Sequence, residues 1–199
     1  MKLAIFLTKI LPLIFWCLLI LGFDSVYVAV LTALSAAIHE LGHLIFALPY
    51  KKVSLPKADI SGFRIKIDGV SYKEELLVAI GGPLVNILLG LVLLFLSPRT
   101  AFASYTQLFG IINLMTALSN LLPIEGYDGY KIIFSVCAML FDNTGRCESL
   151  LLQFSFLFSA LMCFLSLYLI LKLGEGYWIF FVFFSLTVSA IATRIKHNF

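Results

Sequence analysis

Charge is scarce in this chain. Only 13% of its 199 residues are Asp, Glu, Lys or Arg, about half the share of an ordinary soluble domain. Fourteen basic against eleven acidic residues leave a net charge of +3, too weak a field to bind a polyanion, so nucleic acid is excluded as a partner. Histidine is scarcer still, with three in all. That is too few for the several His clusters that a membrane di-iron desaturase or hydroxylase needs. Cys17, Cys137, Cys147 and Cys163 show no CxxC or paired spacing. Three of them sit in apolar runs, where cysteine is a small hydrophobe, and no disulfide or thiolate metal site is implied.

What fills the chain instead is apolar surface. Hydrophobic residues make up 61% of it and the mean hydropathy is +1.05. A water-soluble domain of this length could not hide so much inside one core. The solvent for most of the chain is therefore lipid, which excludes a cytosolic enzyme and a disordered regulator.

A helix needs about 20 predominantly apolar residues to cross the hydrocarbon layer. Six segments meet that demand: 3–22, 26–48, 75–96, 102–122, 150–173 and 177–193. The first carries Lys9 and Pro12; no small-x-small cleavage site follows Gly22, so it reads as a span rather than a signal peptide. The run 132–141 is too short to cross and reads as an interfacial or partly buried helix. Between the second and third spans, the loop 50–73 alternates in Phe63-Arg64-Ile65-Lys66-Ile67, with turn signals at Ser61-Gly62 and Asp68-Gly69. It predicts a short β hairpin at the cytoplasmic interface. The expected architecture is an all-α polytopic membrane protein, about six transmembrane helices with a short membrane-associated β hairpin between the second and third. Residues 1–199 form one domain, with no internal repeat and no CBS or PDZ domain.

With six spans, both termini share one side of the bilayer. Twelve of the fourteen basic residues fall on that side and only Arg99 and Lys172 on the other, so the positive-inside rule places both termini in the cytoplasm of a multi-pass cell-membrane protein.

Ionisable side chains inside a span are expensive and point to function. The second span contains Ser35-Ala36-Ala37-Ile38-His39-Glu40-Leu41-Gly42-His43-Leu44. His39 and His43, four apart, project from one helix face and can share one metal ion. Glu40 stands between them, placed to reach a metal-activated water without being a ligand. This is the H-E-x-x-H arrangement of zinc hydrolases, in which the glutamate is the general base. The competing reading, two structural histidines paired with Glu40, leaves a costly polar cluster in lipid with no purpose. His197 lies in the tail and reads as a solvated end residue.

Catalytic zinc takes three protein ligands. Asp59, Asp68, Glu74, Glu75, Glu125, Asp128, Asp142 and Glu148 all lie on the cytoplasmic side. Asp128 fits well, after Pro123 and before Gly129 at a helix start, and Glu125 is its competitor. The third span holds Gly81-Gly82-Pro83 and Asn86. These residues break or kink a helix and allow close backbone approach. Asn86 either bonds a neighbouring carbonyl in helix packing or contacts substrate.

His39-Glu40-Leu41-Gly42-His43 in one span, and Asn120, Pro123, Asp128 and Gly129 spaced as Asn-x-x-Pro-x-x-x-x-Asp-Gly, resemble the site-2 protease family of intramembrane zinc metalloproteases. Gly82-Pro83-x-x-Asn86 matches a further motif of that family. Its small size, six spans and cytoplasm-facing site look most like the sporulation members, which process a sigma-factor precursor. The resemblance implies that His39, His43 and Asp128 bind Zn2+, that Glu40 activates water and that Asn86 helps hold substrate. The family's membrane-inserted hairpin would correspond to 53–70 and could pair with an extended substrate strand. The implied partners are the lipid bilayer, a membrane-spanning or membrane-associated substrate cut near the cytoplasmic face, and regulatory membrane proteins. Two departures stand out: Tyr127 where many members have Leu, and no room after the last span for the nucleotide-sensing CBS domain common in sporulation members. Two rivals use the same residues, a small metal or ion transporter and a catalytically inactive substrate-binding relative.

Overall fold

The computed structural model describes residues 26–50, 57–59, 62–64, 71–99, 102–173, 183–184 and 187–188. Among these are five α-helices: α1 (Val26–Ala47), α2 (Tyr72–Leu96), α3 (Ala103–Asn120), α4 (Asp128–Leu140) and α5 (Thr144–Leu173). A short 3-10 turn, Ser97–Arg99, follows α2. Strands β1 (Lys57–Asp59) and β2 (Gly62–Arg64) pair antiparallel, with Lys57 opposite Arg64 and Asp59 opposite Gly62.

Among the described residues, three helical segments are long and apolar enough to cross a membrane: Val26–Ala47, Tyr72–Arg99 and Thr144–Lys172. The expectation of six spans with a membrane-associated β hairpin is corrected accordingly. The 102–122 run becomes the 18-residue α3, whose Thr106, Gln107, Asn113, Thr116 and Asn120 dilute its apolar character below that of a span. The 3–22 segment and nearly all of 177–193 lie outside the described residues, as do Cys17, His197 and both termini. As for the loop, two strands pair antiparallel over three residues each, and the rest of 53–70 lies outside the described residues.

Helix α2 is the hub. It packs against α1, α3 and α4, while α5 rests on α4. Its start is fixed by a capping box: the Ser71 side chain accepts from the Glu74 N–H, and Glu74 reaches back to the Ser71 N–H at 2.7 Å. That satisfies amide donors which the helix itself leaves open. Pro83 lies inside α2 without ending it, so of the expected break or kink, the break is absent. The expected close approach is present. A Cβ on Gly42 would stand 2.6 Å from the Gly81 carbonyl oxygen, and one on Gly81 would stand 2.8 Å from the Gly42 oxygen. Helices α1 and α2 thus touch backbone to backbone, as small residues permit in membranes. A second seam repeats this between α2 and α3, at Gly90 and Gly110.

The interior is small and polar, and the surface is large and apolar. Among the described residues the buried hydrophobic ones are Ala47, Ala79, Ala117 and Ile124, whereas Ser35, Asn86, Asn113, Ser135, Ser155 and Ser159 are fully enclosed. Leu, Phe, Val and Ile side chains crowd the outside, among them Phe95, Leu157, Phe164 and Leu171. Soluble proteins arrange these classes the other way round.

Gly42→Ala should lower the thermal midpoint of the detergent-solubilised protein, by the equivalent of about 1–3 kcal/mol for forced overpacking. Gly145→Ala is the control, since its Cβ would meet only Asn143 Oδ1 at 3.8 Å. Equal midpoints for the two variants would refute the backbone contact.

Candidate metal centre

On α1, His39 and His43 lie one turn apart and both are buried. Asp128 is the first residue of α4 and 3% exposed. The turn before it is built for this entry. Gly126 takes a left-handed φ of 96°, which glycine adopts without steric penalty. At the next residue after Asp128, a Cβ on Gly129 would collide with the Leu121 carbonyl, so only glycine lets the end of α3 rest on the first turn of α4. A carboxylate at that first turn also faces the positive end of the α4 dipole.

The three side chains converge on one point. Asp128 Oδ2 lies 2.8 Å from His39 Nε2 and 2.9 Å from His43 Nε2, and the two imidazole nitrogens are 3.1 Å apart. His39, His43 and Asp128 form the candidate metal-binding group among the described residues. A tetrahedral ion with bonds of about 2.0–2.1 Å holds its ligand atoms roughly 3.3 Å apart, so the triangle is a few tenths of an ångström tight. The protonation pattern supports a cation here. His43 Nδ1 faces the Val78 carbonyl at 2.7 Å. A carbonyl can only accept, so the His43 proton sits on Nδ1. The Gly82 N–H approaches that same nitrogen at 3.3 Å; the shorter contact decides the tautomer. His43 Nε2 then turns a lone pair toward a carboxylate oxygen 2.9 Å away, an arrangement that a metal ion between them resolves. Bonding of the second ring nitrogen to a carbonyl is a common way to orient a metal-ligating histidine.

Burial alone would raise the Asp128 carboxyl. In the metal-free protein a proton on the Nε2 atoms of His39 and His43, with the nearby Lys131 ammonium, outweighs it and holds the group well below the usual carboxylate range. Asp128 is therefore an anion at any working pH. Its second oxygen, Oδ1, accepts from Lys131 Nζ at 2.8 Å. Sequence reasoning missed Lys131, although its i,i+3 placement after Asp128 was the available signal.

Glu40 lies on the turn between the histidines, half-buried, with His43, His39, Asp128 and Lys131 as its charged neighbours. Glu125 stands apart from the metal-binding group; its N–H bonds Ser155 Oγ at 2.8 Å. Asn120 donates to the Thr116 carbonyl at 2.9 Å, within its own helix. Burial pushes the Tyr127 phenol up, so it is neutral beside the Asp128 anion. Asn86 is fully enclosed and donates to the Ser35 carbonyl at 3.3 Å. Cys137, Cys147 and Cys163 are free thiols.

Comparison with known proteins bears on this arrangement. No known protein-family profile matches the chain. It is 32% identical to a zinc metalloprotease of Methanocaldococcus jannaschii over 125 residues, 57% of this chain and 36% of that protein. The chain thus spans little more than a third of that relative's length. In structure it is similar to the site-2 protease from the same organism, with a TM-score of 0.65 at 23% identity, covering 94% of this chain and 87% of the other. The fold is shared with a site-2 protease.

Asp128→Ala should abolish stoichiometric zinc in the purified protein, measured by elemental analysis, while Glu125→Ala retains it. Lys131→Ala should keep the ion but weaken its binding about tenfold, as loss of a partner to a ligand commonly does. Zinc retained by Asp128→Ala and lost by Glu125→Ala would reverse the ligand assignment.

Proposed function

We propose that this protein is an intramembrane zinc metalloprotease of the site-2 type. The observation that carries the reading is the convergence of His39, His43 and Asp128 beside Glu40, inside a fold shared with a site-2 protease. The sequence likeness to a zinc metalloprotease supports the same metal and reaction class.

His39, His43 and Asp128 would hold the zinc ion, which when bound would supply the Lewis acidity that acidifies water and polarises a peptide carbonyl. The protein's own residues do the rest. Glu40, one position from His39 and not among the ligands, accepts a proton as water attacks the scissile carbonyl. It then returns that proton to the leaving amine, so one carboxylate serves both halves of the hydrolysis. Lys131 holds the second Asp128 oxygen and keeps that carboxylate oriented through the cycle. The substrate is a membrane-spanning or membrane-associated protein cut near the cytoplasmic face, with both termini of the protease cytoplasmic. A sigma-factor precursor is the candidate that the motif resemblance raises. Regulation comes from partner membrane proteins.

Glu40→Gln tests the mechanism. In co-expression with candidate membrane substrates, its cleavage should fall by about 10²–10⁴-fold while elemental analysis still finds zinc. Undiminished cleavage by a zinc-loaded Glu40→Gln protein would sink the reading.

A further inference from the structure

Two buried polar atoms near the metal centre lack partners, and they are complementary. His39 Nε2 faces Asp128 and His43. If it is to give its lone pair to a metal, the His39 proton must sit on Nδ1. That nitrogen is buried and has no hydrogen-bond partner. It is a donor without an acceptor, on a residue only 4% exposed.

The matching acceptor is on α2. Asn86 is 0% exposed, and its Nδ2 lies 3.3 Å from both the carbonyl and the hydroxyl oxygen of Ser35. The Ser35 carbonyl can only accept, which fixes the amide orientation and identifies the free end as Oδ1. Oδ1 is buried and unpartnered. A flipped amide would set two oxygens against each other.

The helix seam brings the two together. A Cβ on Gly82 would stand 2.8 Å from His39 Cε1, the carbon between the two ring nitrogens. Asn86 is one turn beyond Gly82 on α2, and Ser35, which it touches, is one turn before His39 on α1. Helical side chains lean toward the N-terminus, so the His39 ring tilts toward the Ser35–Asn86 pair. The surrounding groups do not compete for Oδ1. Ser35 Oγ donates onward to Thr116 Oγ1 at 2.9 Å, and Thr116 passes its own proton to the Ile112 carbonyl at 2.9 Å.

We propose that Asn86 is a positioning residue of the metal centre: one buried water accepts from the His39 Nδ1–H and donates to Asn86 Oδ1, fixing the tautomer that presents Nε2 to the ion. Polar enclosure with at least two hydrogen-bond partners is what such a water requires. His43 obtains the same service from the Val78 carbonyl, so each ligating imidazole is oriented by α2. The inference rests on His39 being a metal ligand, as in the proposed function, and replaces a direct substrate contact for Asn86.

The test is zinc affinity of the purified full chain by chelator competition, with thermal stability of the metal-free protein alongside. Asn86→Leu removes the acceptor at similar volume and should weaken zinc about 10–100-fold, the usual cost of losing such an outer partner. Asn86→Asp, entering as the neutral acid with its hydroxyl toward the Ser35 carbonyl, keeps an oxygen toward His39 and should stay within about threefold of wild type. Asn86→Thr, a second oxygen-bearing variant, serves if the aspartate fails to insert. Wild-type affinity in Asn86→Leu overturns the proposal, as does an equal loss in the oxygen-bearing variants, which a packing role predicts. A wild type that binds no zinc overturns the metal reading and this inference with it, whereas loss of the Asn86 effect alone leaves the metal reading standing.

Discussion

Everything in this molecule depends on how closely α1 and α2 approach. Gly42 and Gly81 leave no room for a side chain between the two backbones. Without a strong hydrophobic drive between helices in lipid, such contact is a main source of association. It also sets the metal centre. Gly82 lies flat against both imidazole rings, so the histidines are held against backbone rather than among mobile side chains. From there the Val78 carbonyl can reach His43. A bulkier residue at any of these positions would move the helix that orients the ligands.

A polar interior follows from the same geometry. Helices that touch through glycine leave no space between them for leucine or phenylalanine, so Ser35, Asn86, Asn113 and Thr116 bond one another instead. In hydrocarbon each of these groups would be expensive if left unpaired. Their near-complete pairing makes the two exceptions beside the metal, His39 Nδ1 and Asn86 Oδ1, informative rather than incidental.

The candidate metal ligands are legible because their spacing is a property of local chain geometry. His39 and His43 share a helix face by periodicity alone, and Asp128 follows from a motif resemblance combined with a helix start. The apolar run of α1 ends within a residue of the helix itself, since apolar length is a local property. By contrast α2 begins earlier than its apolar run, because Ser71 and Glu74 cap it. The 102–122 segment read as a span because long apolar stretches outweigh scattered Asn, Gln and Thr by eye. Two of those polar residues, Asn113 and Thr116, are turned by α3 onto Ser35 of α1. Lys131 and the Ser35 network could not be read from the chain, since they depend on which helices meet and in what register.

The ligands also come from distant parts of the chain. Asp128 lies 89 residues from His39 and 85 from His43, with α2 and α3 between them. During synthesis the two histidines therefore enter the membrane long before the carboxylate exists. A chain halted anywhere before α4 carries two of three ligands and no closed triangle. Competence to close the triangle thus arrives as a late event of biogenesis.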